Sequence, residues 1–185
     1  MAVPEATRRE TKYGTVYDGE GWFVLNARET RWRDSGHFGF FCDFEGKRRF
    51  RQFGINLSVL EPGQPLSMYH RENAQEGFLV IAGECVVLVE DEERRMRAWD
   101  YFHCPGGTAH VVVGAGDGPA VVLAVGARGG REGFVYPVDP LAVARAAGVE
   151  RETTKPGEAY ARFPRWVRTP YRDGWLPDFE SLRSS

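Results

Sequence analysis

The chain has 185 residues, of which 42% are hydrophobic and 27% charged, a balance typical of one folded domain. Its formal net charge is -2 with arginines and acids intermixed, which excludes a standing electrostatic attraction to nucleic acid or anionic lipid. We expect a cytoplasmic protein, because no apolar run approaches the ~20 residues of a membrane span, no signal-peptide core follows Met1, and the three cysteines are too widely spaced to suggest a disulfide framework.

The first third of the chain predicts little regular structure before one clear strand. Residues 1–20 are polar and predict an arm that is loosely held or packed on a neighbour. The first predicted strand is 22–26, and residues 27–51, rich in Arg, Gly and aromatic residues, predict a long loop. Apolar residues then alternate along 54–60 before the Pro- and Gly-containing segment 61–65, which indicates a strand followed by a turn.

Short strand-like segments follow one another through the middle of the chain, with turn residues between them. They span residues 66–70, 77–82, 85–90, 94–98, 101–104, 109–113 and 120–125. Because no helical pattern separates them, they predict an antiparallel sandwich or barrel.

One helix is predicted late in the chain. Asp139 is a suitable N-cap, Pro140 is favoured in the first turn, and Gly148 would end the helix. The segment beyond it has too many aromatic residues for a free tail, so we expect it to lie across a barrel surface, its own or a partner's.

The arms also predict a homodimer, since they have more apolar surface than a monomer would expose. The predicted organisation is an N-terminal arm (1–20), a β-barrel domain (21–130), and a C-terminal helix with an aromatic and Pro-rich arm (131–185).

Two stretches contain side chains able to bind a metal. The first places His70, Glu72 and Glu76 just before an apolar run, and the second presents His110 after a Pro-Gly-Gly turn. Alternation along a strand puts His70 and Glu72 on one face, with Glu76 returning from the next strand. Imidazole and carboxylate ligands without a thiolate suit Zn, Fe, Mn or Ni.

These stretches resemble the two motifs of the cupin superfamily, G-x5-H-x-H-x3,4-E-x6-G and G-x5-P-x-G-x2-H-x3-N. The match is good at Glu76-x6-Gly83 and at Pro105-x-Gly107-x2-His110. The chain departs from the motifs at Gly63, which stands one residue too far from His70, and at Glu72, Trp99 and Gly114, which replace His, Gly and Asn.

The resemblance implies an all-β fold, a double-stranded β-helix or jelly-roll barrel with a site in its mouth. With the inward alternation, it predicts one divalent metal ion held by His70, Glu76 and His110, with Glu72 as a fourth ligand or bonded to a bound water.

A second register of the first motif stays open. If Tyr69 and Arg71 face inward instead, the barrel loses its metal and becomes an organic-ligand pocket with an arginine for an anion. His103 is a further candidate for lining the cavity, although a core histidine bonded to backbone is the plainer interpretation. Cys104 is interpreted as packing.

Two functions follow from these alternatives. The first is a metal-binding cupin that binds or transforms a small polar organic molecule, such as a sugar derivative or an oxo-acid, by isomerase or oxygenase chemistry. The other is a non-catalytic binding or sensor cupin, metal-free in the second register. Because cupins host many activities, the resemblance does not choose between them.

Overall fold

The computed structural model of the protein describes residues 1–128 and 133–178, in which strands dominate the regular structure. The strands are β1 (Thr7–Thr11), β2 (Gly14–Asp18), β3 (Trp32–Asp34), β4 (Phe40–Cys42), β5 (Phe53–Leu60), β6 (Arg71–Glu72), β7 (Glu76–Ala82), β8 (Glu84–Val89), β9 (Glu92–Arg97), β10 (Tyr101–Cys104), β11 (His110–Ala115), β12 (Ala120–Ala127), β13 (Phe134–Val135) and β14 (Val167–Thr169). The helical segments are a 3-10 turn (Gly36–Phe38), α1 (Pro140–Ala144) and α2 (Pro156–Ala159).

Two antiparallel sheets build the barrel. The larger has seven strands in the order β10-β7-β12-β5-β4-β3-β14, and the smaller has three in the order β11-β8-β9. Alternate residues of both sheets meet in one core, for example Phe78 and Val80 from β7 with Val87 from β8 and Val112 from β11. The period of two that separates core from outer residues is the strand period, and the all-β prediction is confirmed.

Segments near the C-terminus cover the outer faces of both sheets. Ala142 and Ala147 pack on the smaller sheet beside Val111. Trp175 packs on the larger sheet, where its ring lies 5.2 Å from that of Trp32. The predicted C-terminal arm therefore lies on its own barrel, and the homodimer stays a prediction.

The predicted helix forms but is shorter than expected. The carboxylate of Asp139 accepts a hydrogen bond from the N–H of Ala142 at 2.7 Å, and Pro140 begins α1. The helix is capped at Arg145, and Ala146 follows with a φ of 54°, so the expected end at Gly148 is wrong. Helix α2 was not predicted, because it has only one turn.

The N-terminal third differs most from the prediction. Residues 22–26 form no strand, and residues 1–20 instead contain the β1–β2 hairpin. Strand β1 is exposed along nearly its whole length, so no apolar alternation could reveal it. The predicted loop 27–51 includes the short strands β3 and β4, which extend the large sheet.

Smaller differences concern the middle and the ends of the chain. Residues 66–70 make a single isolated bridge, at His70, rather than a strand, and β6 follows them. The ends of the predicted barrel and C-terminal regions at 129–132 and 179–185 lie outside the described residues. None of the helices in the described part of the chain is long and apolar enough to cross a membrane.

Candidate metal centre

Three side chains converge at one end of the core. His70 and His110 belong to facing segments joined by two backbone hydrogen bonds, His110 N to His70 O at 2.8 Å and His70 N to His110 O at 3.1 Å. Glu76 begins β7, opposite them. One ligand atom from each of the three residues lies within 4.8 Å of the others. The fold thus brings together three of the four predicted metal ligands.

The turn before His110 depends on a glycine. Gly107 has a φ of 90°, a conformation that side chains other than glycine rarely adopt. Its N–H donates to the carbonyl of Glu72 at 2.7 Å, which joins this turn to strand β6. The Pro-Gly-Gly sequence therefore sets the position at which the chain enters β11 with His110.

Backbone carbonyls fix the tautomer of both imidazoles. Nδ1 of His70 lies 2.8 Å from the carbonyl oxygen of Met68, and Nδ1 of His110 lies 3.1 Å from that of Thr108. A carbonyl oxygen only accepts, so each Nδ1 bears the hydrogen. In the neutral ring the lone pair is then on Nε2, the atom free to bind a metal, and this is the arrangement that metal-binding histidines commonly show.

The carboxylate of Glu76 completes a set of acceptors. Its buried Oε2 lies 3.2 Å from Nε2 of His110 and has no other possible hydrogen-bond partner within residues 1–128 and 133–178. Two lone-pair atoms at this distance repel each other unless a proton or a metal ion is shared between them. The residues present therefore fit a divalent cation.

The pKa values of the two histidines shift in opposite directions. Burial, followed by the neighbouring His110, lowers the pKa of His70. Burial also acts to lower the pKa of His110, but its contacts with Cys104 and Glu76 outweigh this and raise the pKa to about 10. A metal ion entering the site must therefore displace a proton from His110.

Rings and a thiol enclose the imidazole of His110, which is 2% exposed. The rings of Phe78 and Phe102 lie 5.2 and 5.9 Å from it, measured between centroids. Sγ of Cys104 lies 3.3 Å from Nδ1, on the side away from Glu76. The sequence interpretation of Cys104 as packing missed this contact, because nothing in the chain order marks it.

The remaining candidates lie elsewhere. Glu72 is partly buried on β6 and is not among the three converging residues. Glu72 pairs with Phe134, whose ring lies 5.9 Å from that of His70, so Glu72 lies near the site. The ring of Tyr136 lies 5.8 Å from that of His70, and burial raises the pKa of Tyr136, with the neighbouring Tyr160 and Glu72 adding to this effect. Arg71 and His103 are exposed.

Tyr69 points away from the site into the outer layer. It is 3% exposed, packs with residues of the small sheet, and donates its hydroxyl to the carbonyl of Glu90 at 2.7 Å. The structure therefore has His70, and not Tyr69 with Arg71, beside His110.

A tyrosine from the C-terminal segment reaches the same neighbourhood. The hydroxyl of Tyr160 accepts the N–H of Met68 at 3.0 Å, and the carbonyl of Met68 accepts Nδ1–H of His70. Burial raises the pKa of Tyr160, and the charge of Glu76 adds to this effect. Tyr160 and Met68 are 92 residues apart, so this link could not be predicted from the sequence.

Comparisons with known proteins agree on the type of fold. A family model described as "Cupin domain" matches residues 56–126. The structure of a sugar phosphate isomerase from a cupin superfamily, from Silicibacter pomeroyi DSS-3, is 25% identical, with a TM-score of 0.51 and coverage of 95% of this chain and 94% of that chain.

Other solved structures match shorter parts. A protein from Acidithiobacillus ferrooxidans ATCC 23270 is 26% identical with a TM-score of 0.43, and the match covers 45% of this chain and 55% of that chain, so this chain spans about half of that protein. An RmlC-like cupin family protein from Methanocaldococcus jannaschii is 18% identical with a TM-score of 0.41, over 44% of this chain and 74% of that chain. No curated protein matches the chain.

Proposed function

Because the chain belongs to the cupin superfamily and unites two histidines with a carboxylate, we propose that it is a metal-dependent enzyme acting on a small polar organic molecule, a sugar derivative or an oxo-acid. The observation that supports it most is the convergence of one ligand atom each from His70, Glu76 and His110 within 4.8 Å of one another. Two imidazoles and one carboxylate suit Fe, Mn, Ni or Zn.

Within this class the proposal favours an isomerase. The full-length structural relative from Silicibacter pomeroyi DSS-3 is a sugar phosphate isomerase. A divalent ion at the three ligands would supply a Lewis acid that polarises a substrate carbonyl or hydroxyl oxygen. The chain itself would then need to position the substrate and move a proton beside that oxygen.

Residues around the proposed metal centre are suited to position the substrate and to move a proton. Glu72, near His70 and Tyr136, is the carboxylate we assign to proton transfer, and binding to the metal through a water is its alternative role. The rings of Phe78 and Phe102 exclude water from one side of His110. The fixed Nδ1–H tautomers keep both imidazoles oriented throughout the reaction.

The experiment combines metal analysis with turnover. Purified protein loaded with each of the four metals is incubated with a panel of aldose and ketose phosphates and oxo-acids, and the products are followed by NMR. Interconversion by the wild type, lost in Glu72→Gln while one metal per chain is retained, supports the assignment.

The second candidate function is a non-catalytic binder with the same metal. Saturable binding of a panel compound without conversion under any metal would favour it over the enzyme. A wild type that holds no metal and cannot be loaded would contradict both.

A further inference from the structure

A cleft of about 780 Å³ lies between the end of the β1–β2 hairpin and the loop that joins β4 to β5. Its lining residues all belong to two segments, 17–23 and 46–51. None of the proposed metal ligands lies in either segment, so the cleft is distinct from the metal centre. Its volume is within the range of sites for small organic molecules.

The protein holds the two walls of the cleft together. A β-carbon on Gly46 would overlap a backbone carbonyl of β2, so only glycine allows the loop to lie this close to the hairpin. The N–H of Lys47 donates to the carboxylate of Asp18 at 2.8 Å, and the N–H of Phe50 donates to that of Glu45 at 2.9 Å. The loop is therefore anchored near both of its ends, and the cleft is already formed without a ligand.

The lining of the cleft has an excess of positive charge. Arg48, Arg49 and Arg51 line it, and Glu20 is the only acid among the described residues that do so. Nη1 of Arg48 and Nη2 of Arg51 donate to the same oxygen, Oε1 of Glu20, at 2.7 and 2.8 Å. Arg49 has no hydrogen bond or ion pair within residues 1–128 and 133–178. Three guanidinium groups and one carboxylate thus leave a formal excess of two positive charges at the cleft.

The position of Glu20 shows how the cleft holds an oxyanion. Two planar guanidinium groups that meet at one oxygen suit a phosphate as well as a carboxylate. The side chains of Glu20 and Arg48 are 63% and 65% exposed. Exposed ion pairs contribute little to stability, so a ligand that displaces Glu20 gives up little. A phosphate monoester has a charge of about −2 at pH 7, which balances the excess, whereas a monocarboxylate balances half of it.

A row of aromatic rings forms an apolar wall of the same cleft. The ring of Tyr17 is stacked on that of Phe23 with 4.7 Å between centroids, and the ring of Phe23 lies 6.2 Å from that of Phe50. Phe50 lies between Arg49 and Arg51 in the chain, so the apolar wall and the guanidinium groups adjoin. Inorganic phosphate has nothing to place against this wall, but an organic phosphate does.

We propose that this cleft binds a small organic phosphate monoester, with its phosphate on Arg48, Arg49 and Arg51 and an apolar or aromatic body against the row of rings. All of these side chains line the cleft itself, so a molecule in the cleft reaches them directly. The binding is independent of the proposed function, because the cleft and the metal centre share no residue.

The test is isothermal titration of the purified full chain with phenyl phosphate, inorganic phosphate and benzoate. We expect phenyl phosphate to bind most tightly, because it alone combines the phosphate charge with a ring. In Arg49→Gln its affinity should fall about tenfold, the loss expected for one charge-assisted hydrogen bond. Arg49 has no partner in the described part of the protein, so this variant should fold as the wild type does. Arg95→Gln, an exposed arginine on β9, is the matched control and should bind normally.

A second variant should change the affinity in the opposite direction. Glu20→Gln removes the carboxylate that competes for Arg48 and Arg51, so phenyl phosphate should bind about threefold or more tightly. Its control is Glu92→Gln, which breaks the similarly exposed pair with Arg94 and should leave the affinity unchanged.

Three results would overturn the proposal. They are no binding of phenyl phosphate to the wild type, equal affinity for phenyl phosphate and inorganic phosphate, and equal affinity of the wild type and Arg49→Gln for phenyl phosphate. Each titration is repeated with a chelator present. We expect the same affinity, whereas binding that disappears with the chelator would place the phosphate at the metal centre and also contradict the proposal.

Discussion

Two buried polar clusters of this barrel have opposite imbalances of hydrogen-bonding groups. At His70, Glu76 and His110, hydrogen-bond acceptors converge without enough donors, whereas at Arg31 and Arg33, donors are left without acceptors. Each imbalance would be costly if nothing else bound there. The kind of unsatisfied group, acceptor or donor, rather than the presence of charge, therefore indicates the charge of the partner that each cluster lacks.

The largest expected effect is on metal affinity at the acceptor cluster of His70, Glu76 and His110. His110→Ala removes one of the three proposed ligands, and we expect metal affinity to fall more than about 100-fold, beyond the 10–100-fold typical for loss of an outer-shell partner. Metal content after gel filtration, measured by mass spectrometry, checks this. The control is His103→Ala, because His103 is exposed and outside the three-residue group; equal metal loss in both variants would contradict the assignment.

The same cluster predicts a pH dependence of metal binding. The pKa of His110 is raised to about 10, so below that pH the metal must displace a proton and its affinity falls as pH falls. The pKa of His70 is lowered, so this ring is neutral near pH 8 and adds little there. Between pH 8 and pH 6 we expect a loss of about tenfold per pH unit, measured by competition with a chelator of known pH behaviour. An affinity that is flat across this range would be inconsistent with proton displacement.

For the donor cluster of Arg31 and Arg33, we expect the main effect on folding stability rather than on metal affinity. Asp43→Asn removes the carboxylate that Arg31 and Arg33 share, and we expect unfolding free energy to fall by about 2 kcal/mol. Glu93→Gln, which breaks the more exposed pair with Arg145, should cost only about 0.5 kcal/mol. Both losses are measured by urea unfolding. Equal losses in the two variants would contradict the view that the carboxylate of Asp43 balances buried charge.

The smallest effect concerns the hydrogen bond between Tyr160 and Met68. Tyr160→Phe removes the acceptor for Met68 N–H and so loosens the carbonyl that orients His70. We expect a loss of metal affinity of about fivefold, less than for a direct outer-shell partner. Tyr69→Phe is the matched control, since it also loses a buried hydroxyl but one bonded to Glu90. If both variants lose metal affinity to the same extent, the cause is a general loosening of the structure and not the loss of the Tyr160–Met68 hydrogen bond.

Much of the barrel could be predicted because its strands alternate. Segments such as 54–60 and 77–82 appear close to their predicted positions, since core and outer residues differ in polarity along them. Strand β1 could not be predicted, because its residues are nearly all exposed and backbone pairing with β2 defines it. Strands β3 and β4 have three residues each, too few for a period to show.

The candidate site likewise has residues that could be predicted from the sequence and residues that could not. The spacing of the motif around Glu76 and His110 indicated those residues, because they lie at strand ends that the fold family uses. Cys104 and Tyr160 were not indicated, since their roles depend on contacts that only the folded chain makes. The choice of His70 over Tyr69 as the residue that faces the site likewise depends on the β-bridge that joins His70 to His110.

The most direct test of the metal centre is X-ray absorption at the metal edge of the purified protein. We expect two imidazole nitrogens at about 2.0–2.1 Å and oxygen ligands at about 2.0–2.2 Å if the metal is zinc, with no sulfur. Replacing His70 with alanine should remove one of the imidazole contributions. A sulfur ligand near 2.3 Å, which would indicate Cys104, or a spectrum with oxygen ligands alone, would contradict the assignment of His70, Glu76 and His110.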